Sequence, residues 1–590
     1  MSFSNLSSFL SFIEKRGDLH RIKAEVDPIL EITEIATRVV KNDGPAILFE
    51  NVKGSTYPAV INLLGAKRRV EWALGRPSQE VGEELAHFSE VLMHPSLSKF
   101  WQARRSVSRL LSLKPKKVSR APFTAHEIHP VGLGKLPIAK SWPKDAGRFI
   151  TFPLVITKSP ASGRYNMGVY RLQVFGEDQT GMHWQIGKGG GYHYFEAEKK
   201  GENLEVSVAV GADPILMLCG VLPLPEGVEE TAVAGFLRGE ATRLAQVGKG
   251  GLLVPAEAEF VLQGVVPPLE RRSEGPYGDH FGHYSHQADF PVFHVKKIYH
   301  RSRPVFPLAV VGKPPQEDNF IGEAATEILL PLLKLMHPEI ADLWAYPAAG
   351  FHNLVVASVR QRFRKEGIKT ALWILGEGQL ALSKCVILVD EFVNPRNFSD
   401  VLKAVRMNFK PEDDFTLLPG TSQDTLDFTS FKMNLGSKMI LDATSIGEKN
   451  SRSAGGRFDP EALQKLDSRI REVNLWSESM AVLRVDGPGR NVLEKVVKSG
   501  VFSGIPLAAA VSADVPLNNE SLMLWGIFTR FDCRRDTLFT EVSWHGDHPK
   551  YSGTMGIDAT WKPGYPEPLE MTKEIVAKVD RRWKEYGFAS

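Results

Sequence analysis

The sequence predicts a multidomain α/β protein with a β-rich centre, and three observations predict it. The chain has 590 residues, too many for one hydrophobic core and enough for roughly three or four domains. Its texture changes near residue 125, where mixed helical and strand patterns give way to short Val-, Tyr- and Phe-rich runs, and changes back near residue 325. Finally, Gly436-Ser-Lys-Met-Ile-Leu-Asp-Ala-Thr444 returns as Gly553-Thr-Met-Gly-Ile-Asp-Ala-Thr560, the mark of an internal repeat. The expected domains are 1–120, 121–320, 321–480 and 481–590, the last a diverged copy of the third.

Elements follow in order. Asp27-Pro28 precedes a helical pattern of Ile29, Leu30, Ile32, Ile35, Ala36, Val39 and Val40, which Gly44-Pro45 stops. Residues 46–50 and 59–64 are short apolar runs of strand type, and 114–122 read as a linker. The central runs, separated by Gly, Pro, Asp and Asn, have the pattern of a β-barrel or sandwich. Within them Met167–Val174 alternates, with Val169, Arg171 and Gln173 on one face and Tyr170, Leu172 and Val174 on the other. Such a strand places Arg171 either in a ligand cavity or in solvent. Helical periodicity resumes at 321–335. A strand at 385–390 then passes through Asn394-Pro395 and Asn397 into a helix at 398–409, which is βα texture. Residues 507–511, Asn518 and 520–531 mirror that unit.

Composition narrows the class. An apolar content of 43% with 24% charged residues fits a globular protein and excludes a disordered or fibrous one. Cys219, Cys385 and Cys533 lie far apart without metal spacing, which suggests a reducing compartment and no disulfide framework. The N-terminus lacks a signal-peptide pattern and no run of about 18 apolar residues exists, so cytoplasm is the expected location. A net charge of +3 gives no global case for nucleic-acid binding. Arg104, Arg105, Arg109, Lys114, Lys116, Lys117 and Arg120 form an acid-free stretch. It reads as a solvated linker or as a surface for peripheral contact with anionic lipid.

Several motifs carry chemistry. Glu274-Gly-Pro-Tyr-Gly-Asp279 sets two carboxylates across a Gly/Pro turn, directly before His280, Phe281 and Gly282. Neighbouring carboxyls can have their pKa values pushed apart, which suits proton transfer. Asn166-Met-Gly-Val-Tyr-Arg171 offers a hard oxygen ligand for Mg²⁺ or Mn²⁺ and a guanidinium fork for carboxylate or phosphate. His183-Trp-Gln-Ile-Gly-Lys188-Gly-Gly-Gly191 combines backbone N–H groups with an ammonium, as a phosphate cradle or a flexible hairpin, and is not a Walker loop. Glu230 could complete a divalent-metal site with Asn166, or serve as a helix N-terminal acid.

In this order the motifs resemble the UbiD-type decarboxylases, named for 3-polyprenyl-4-hydroxybenzoate decarboxylase. The signatures are Asn166 with Tyr170-Arg171, Gly211-Ala-Asp-Pro214, residues 225–235, Val254-Pro-Ala256 and residues 274–284. The resemblance implies a central split β-barrel flavin-binding domain holding prenylated FMN, with its phosphate bound through Mn²⁺ or another divalent metal and a monovalent cation (K⁺). It makes Asn166 and Glu230 metal ligands, and assigns the cofactor to Val169, Tyr170, Arg171, His183, Trp184, Gln185, Lys188 and Gly189. Some relatives add a histidine ligand; none is assigned here. Arg171, Glu274 and Asp279 become the catalytic network, with Arg171 and Glu274 positioning a substrate carboxylate and Asp279 donating the proton that replaces CO₂. The implied activity is reversible, non-oxidative decarboxylation of an aromatic or α,β-unsaturated acid. Asp279, where cinnamic-acid relatives carry Glu, favours a 4-hydroxybenzoate-type acid of quinone biosynthesis. An FMN prenyltransferase is implied as cofactor supplier, and a homo-oligomer as the assembly. The alternatives are a flavin-dependent oxidoreductase on a similar barrel, disfavoured by the missing dinucleotide fingerprint, and a non-catalytic assembly subunit.

Overall fold

The periodic residues Ile32, Ile35, Ala36, Val39 and Val40 become the buried face of helix Glu31–Lys41. Ile29 and Leu30 stay outside it. Glu31 is fully buried and accepts the Asp27 N–H at 2.8 Å, and Leu30 takes a φ of 69°, so the first turn starts at Glu31. In this computed structural model the described residues are 3–93, 109–185, 189–224, 227–445, 459–501 and 504–588. The chain divides into two compact units, one of Met1–Asp279, His283–Leu329 and Pro568–Ser590, the other of His280–Gly282 and Leu330–Glu567.

In the first unit, Leu19–Ile22, Ala46–Phe49, Ala59–Ile61 and Phe306–Pro307 form a four-stranded sheet in that order. The eight-stranded sheet beside it in sequence runs Gln179–Gly181, Ala288–His300, Phe260–Val266, Leu204–Val210, Pro153–Lys158, Tyr165–Val169, and Arg271–Glu274 and His126–Glu127 add to Ala288–His300. Its pairs are antiparallel. The described strands form no closed barrel.

The continuous alternation expected over 167–174 is interrupted. One strand ends at Val169 and a second, Leu172–Gln173, pairs with Phe149–Ile150 instead. At the break Val169 donates its N–H to Gly220 O at 3.0 Å, and the Arg171 carbonyl accepts from His183 N at 3.3 Å. Tyr170 and Arg171 are therefore both buried, although an unbroken strand would send them to opposite faces.

The second unit holds two five-stranded sheets with one topology. The first orders Ile340–Ala345, Leu354–Val359, Cys385–Asp390, Leu435–Asp442, Phe415–Ser422; the second orders Ile470–Trp476, Met480–Val485, Leu507–Val511, His548–Ala559, Thr537–His545. Across each sheet the pairings run antiparallel, parallel, parallel, antiparallel. Even the irregularities correspond, falling at Ile340/Asp342 and Pro419/Thr421 in one and at Ile470/Glu472 and Phe539/Glu541 in the other. The repeated Asp-Ala-Thr ends the fourth strand in each order, where the Thr444 and Thr560 hydroxyls donate to Asp442 and Asp558 at 2.6 Å. Apolar side chains of both sheets share one core, with Phe398 against Trp476 and Phe528, and Phe415 against Phe539. The second sheet starts at Ile470, ahead of the expected boundary at 481, because its first hairpin carries none of the repeated motif.

After the second sheet the chain rejoins the first unit. Helix Lys573–Arg582 packs on helix Glu31–Lys41, and buried Glu31 accepts from Lys578 Nζ at 2.9 Å, from Arg582 and from the Tyr586 hydroxyl. Arg104 and Arg105 of the basic stretch lie outside the described residues. Arg109 pairs with Glu84, and Lys116–Val118 forms a strand beside Arg243–Gln246. Among the described residues no helix is long and apolar enough to cross a membrane.

A hydroxyl donated to a buried carboxylate contributes about 1.5–3 kcal/mol. Tyr586→Phe should therefore lower the thermal unfolding midpoint of the protein by several degrees. Tyr192→Phe, at an exposed position, should leave it unchanged.

Candidate active site

Strand Arg271–Glu274 delivers Glu274 at its last residue, where the carboxylate is buried. The turn that follows is tied down group by group. Gly275 N donates to Gln173 Oε1 at 2.8 Å, Gly278 N to Asp145 Oδ1 at 2.7 Å, and Asp279 N to His283 O at 3.1 Å. Ser285 closes it, donating its N–H to Tyr277 O at 2.7 Å and accepting the Tyr277 N–H at 3.2 Å through its hydroxyl. With the turn so held, Asp279 reaches the same guanidinium that Glu274 meets.

Arg171 meets both acids. Its Nε donates to Glu274 Oε1 at 3.0 Å, Nη1 donates to Asp279 Oδ2, and Nη2 donates to Ser285 Oγ at 3.4 Å. The guanidinium carbon lies 4.7 Å from the centre of the Tyr277 ring. Burial alone would lower the pKa of Arg171, but Glu274 and Asp279 hold it above the ordinary value. For Glu274, burial pulls upward while His183 and Arg171 pull harder downward, so its carboxyl stays below the usual range. His183 Nδ1 is 2.9 Å from Glu274 Oε1. A carboxylate only accepts, so Nδ1 carries the proton. Burial first, and Arg171 second, lower the His183 pKa, which keeps the ring neutral.

Asn166 and Glu230 also come together. Asn166 sits on strand Tyr165–Val169, Glu230 opens helix Glu230–Arg238, and Glu230 Oε2 accepts the N–H of Met167 at 3.0 Å. Tyr170 accepts the Gly190 N–H at 3.2 Å, and burial raises its phenol to about 12. The glycine run is neither loop nor hairpin from Gly189 onward, because helix Gly189–Lys200 starts there. A Cβ on Gly189 would lie 2.1 Å from Asn166 Oδ1, and one on Gly190 would lie 2.6 Å from Trp184 Nε1. Gln185 is half-buried, Val169 likewise, and Lys188 lies outside the described residues.

Around this arrangement Asn166 Nδ2, Trp184 Nε1, His183 Nε2 and Glu274 Oε2 are buried and have no hydrogen-bond partner among the described residues. Orphaned donors and acceptors of both kinds fit a large, polar, mixed ligand. The oxygen donors Asn166 and Glu230 fit a hard divalent cation. Among the described residues no group of three or more His, Cys, Asp and Glu could hold a metal. Three residues of the network escaped sequence reasoning. Tyr277 and Ser285 stand within or next to the acid motif, whereas Asp145 carries no sequence signal, being 133 positions from its partner Gly278.

Comparisons with known proteins define the class as a carboxy-lyase. The N-terminal, Rift-related and C-terminal domains of 3-octaprenyl-4-hydroxybenzoate carboxy-lyase match residues 10–89, 115–314 and 319–443. The chain belongs to the UbiD family. It is 37% identical over 588 residues, covering 99% of this chain and 98% of the relative, to a 4-hydroxybenzoate decarboxylase subunit of Chlamydia pneumoniae. A protein of Archaeoglobus fulgidus is 43% identical over 485 residues, 81% of this chain and 99% of its own length. The multidomain α/β fold is that of UbiD-class structures. Vanillic acid decarboxylase of Sedimentibacter hydroxybenzoicus in closed form superposes with a TM-score of 0.68 at 26% identity, over 79% of this chain and 99% of that one. An evolved dimeric form of HmfF from Pelotomaculum thermopropionicum in complex with prFMN gives 0.63 at 26% identity, over 77% and 98%.

The two lowered pKa values fix a pH dependence. A group whose folded pKa is depressed stabilises the fold above its unfolded pKa, and that contribution is lost as pH falls through the folded value. For His183 the loss begins below about 6.5 and for Glu274 below about 4.5. Asp145, whose carboxyl is pushed up to about 7, contributes with the opposite sign, so the readout is a difference: the gap in thermal midpoint between the unaltered protein and His183→Gln should narrow as the pH falls below about 6.5.

Proposed function

We propose that this chain is a reversible, non-oxidative decarboxylase of an aromatic or α,β-unsaturated carboxylic acid that works with prenylated FMN. The observation that carries the reading is the buried Arg171 guanidinium shared by Glu274 and Asp279. The HmfF neighbour, solved in complex with prFMN, and the chlamydial relative named for 4-hydroxybenzoate decarboxylase support it. When bound, the prenylated flavin supplies the electron sink that departing CO₂ requires. The protein supplies geometry and a proton.

Arg171, locked by Glu274, orients the substrate carboxylate, a positioning role that converts encounter into reaction. Its burial keeps water from competing for the guanidinium. His183 stays neutral and donates from Nδ1, which fixes the Glu274 oxygen that faces Arg171. Asp279 is ion-paired with Arg171 in the structure; once the substrate carboxylate takes its place on the guanidinium, Asp279 takes up a proton from solvent and delivers it to the carbon that loses CO₂. Val169, Tyr170, Trp184, Gln185, Lys188 and Gly189 would line the cofactor, in a domain of split-barrel type. Asn166 and Glu230 would hold the Mn²⁺, or another divalent ion, that together with K⁺ carries its phosphate. The substrate class is a 4-hydroxybenzoate-type acid of quinone biosynthesis, the cofactor comes from an FMN prenyltransferase, and the assembly is a homo-oligomer in the cytoplasm. The matched sheets of the second unit are copies of one ancestral domain.

The test is turnover of a panel of hydroxybenzoic acids by protein purified after co-expression with an FMN prenyltransferase. Asp279→Asn should lower turnover by a factor of about 10²–10⁴ while retaining flavin, and an active Asn variant would falsify the proton assignment. Glu230→Ala should instead lose metal and flavin together; stoichiometric flavin in that variant removes Glu230 from the metal site.

A further inference from the structure

The acid turn is matched by the family's central domain, yet residues far beyond the family's C-terminal domain, which ends at 443, hold it in place. On one side, His283 pairs in an antiparallel bridge with Pro568. Next to it Gly278 is packed so closely that a Cβ would lie 2.2 Å from Trp142 and 2.8 Å from Leu569. Leu569, Trp142 and Tyr284 belong to one apolar core.

The other side is the tip, His280–Gly282, which the chain places in the second unit before returning at His283. There Trp525, on helix Glu520–Phe528, donates its indole N–H to Phe281 O at 2.9 Å. Gly282 has a φ of +71°, and a Cβ on it would lie 2.4 Å from the same indole nitrogen. Trp525 is itself fixed. The Arg530 guanidinium lies 4.3 Å from its ring centre, and fully buried Arg530 donates to both oxygens of Asp514 at 2.7 and 2.6 Å. A buried bidentate pair stacked on the indole leaves that side chain one orientation. The indole thus presents one donor to one carbonyl, two residues from Asp279.

We propose that the C-terminal extension is a clasp on the acid turn, and that Trp525 is a positioning residue that sets Asp279 through the Phe281 carbonyl. The second sheet then serves the reaction by presenting helix Glu520–Phe528, and the tail serves it through Pro568 and Leu569. The proposal rests on the reading of Asp279 as the proton donor. An acid displaced by about an ångström loses its proton-transfer geometry while the substrate and cofactor contacts of other residues persist.

The experiment compares holoenzyme carrying Trp525→Phe with the unaltered holoenzyme, both loaded with prenylated FMN. Expected are a kcat at least ten-fold lower, a KM for the acid within two-fold, undiminished flavin content, and faster amide hydrogen exchange confined to residues 276–286. A folded, loaded Trp525→Phe enzyme with undiminished kcat overturns the clasp. Gly282→Ala, which crowds the indole without emptying the core, is the second variant and should give the same split between kcat and KM. If the unaltered holoenzyme decarboxylates none of the acids, the decarboxylase reading fails by itself. Hydrogen exchange still judges the clasp in that case, and unchanged exchange at 276–286 in both variants overturns it.

Discussion

A guanidinium buried between two carboxylates is the constraint on which the rest of this protein depends. Taking charges out of water costs several kcal/mol per ion, and only close, well-oriented partners offset it. Arg171 has such partners in Glu274 and Asp279, with Ser285 and the Tyr277 ring at its remaining edges. Removing one partner would leave an uncompensated charge at a cost of about 3–5 kcal/mol. The three groups therefore order one another. An oriented cation and a neighbouring acid are also what a carboxylate substrate and its protonated product require, so the feature that is expensive for folding is the one that is useful for chemistry.

Much of the first unit serves to bring those three groups together. The strand break after Val169 turns Tyr170 and Arg171 inward together, which an unbroken alternation forbids. Strand Arg271–Glu274, at the margin of the same sheet, ends on Glu274, and Asp145 fastens the middle of the turn from a distant loop. Asp145 is buried enough for its carboxyl to be pushed up to about 7, despite three backbone N–H groups that favour the charged form. On the neighbouring side, the start of helix Gly189–Lys200 brings glycine backbone against Asn166 and Trp184, where any side chain would collide.

The sequence made the coarse architecture legible, because periodicity reflects burial. The buried stripe of Glu31–Lys41, the strand Cys385–Asp390 and the repeated Asp-Ala-Thr are all visible in it, the last because a buried Thr–Asp hydrogen bond tolerates few substitutes. The acid turn was legible from its glycines and proline. What stayed hidden depends on partners distant in the chain. Alternation alone left Arg171 either inside or outside, since the break that decides it comes from Gly220 capturing the Val169 N–H. His183 read as part of a phosphate loop, but its closest polar partner is Glu274, 91 positions away. Asp145, Trp525 and Leu569 act through backbone groups or packing, which leave no motif.

The most direct test of the central claim is the mass of the ligand that the protein retains. Protein co-expressed with an FMN prenyltransferase would be denatured, and the released small molecule weighed and its visible spectrum recorded, with bound metal quantified alongside. The account predicts FMN carrying a five-carbon prenyl increment, near one per chain, together with Mn²⁺. Protein that folds normally yet releases no flavin under those conditions would contradict it.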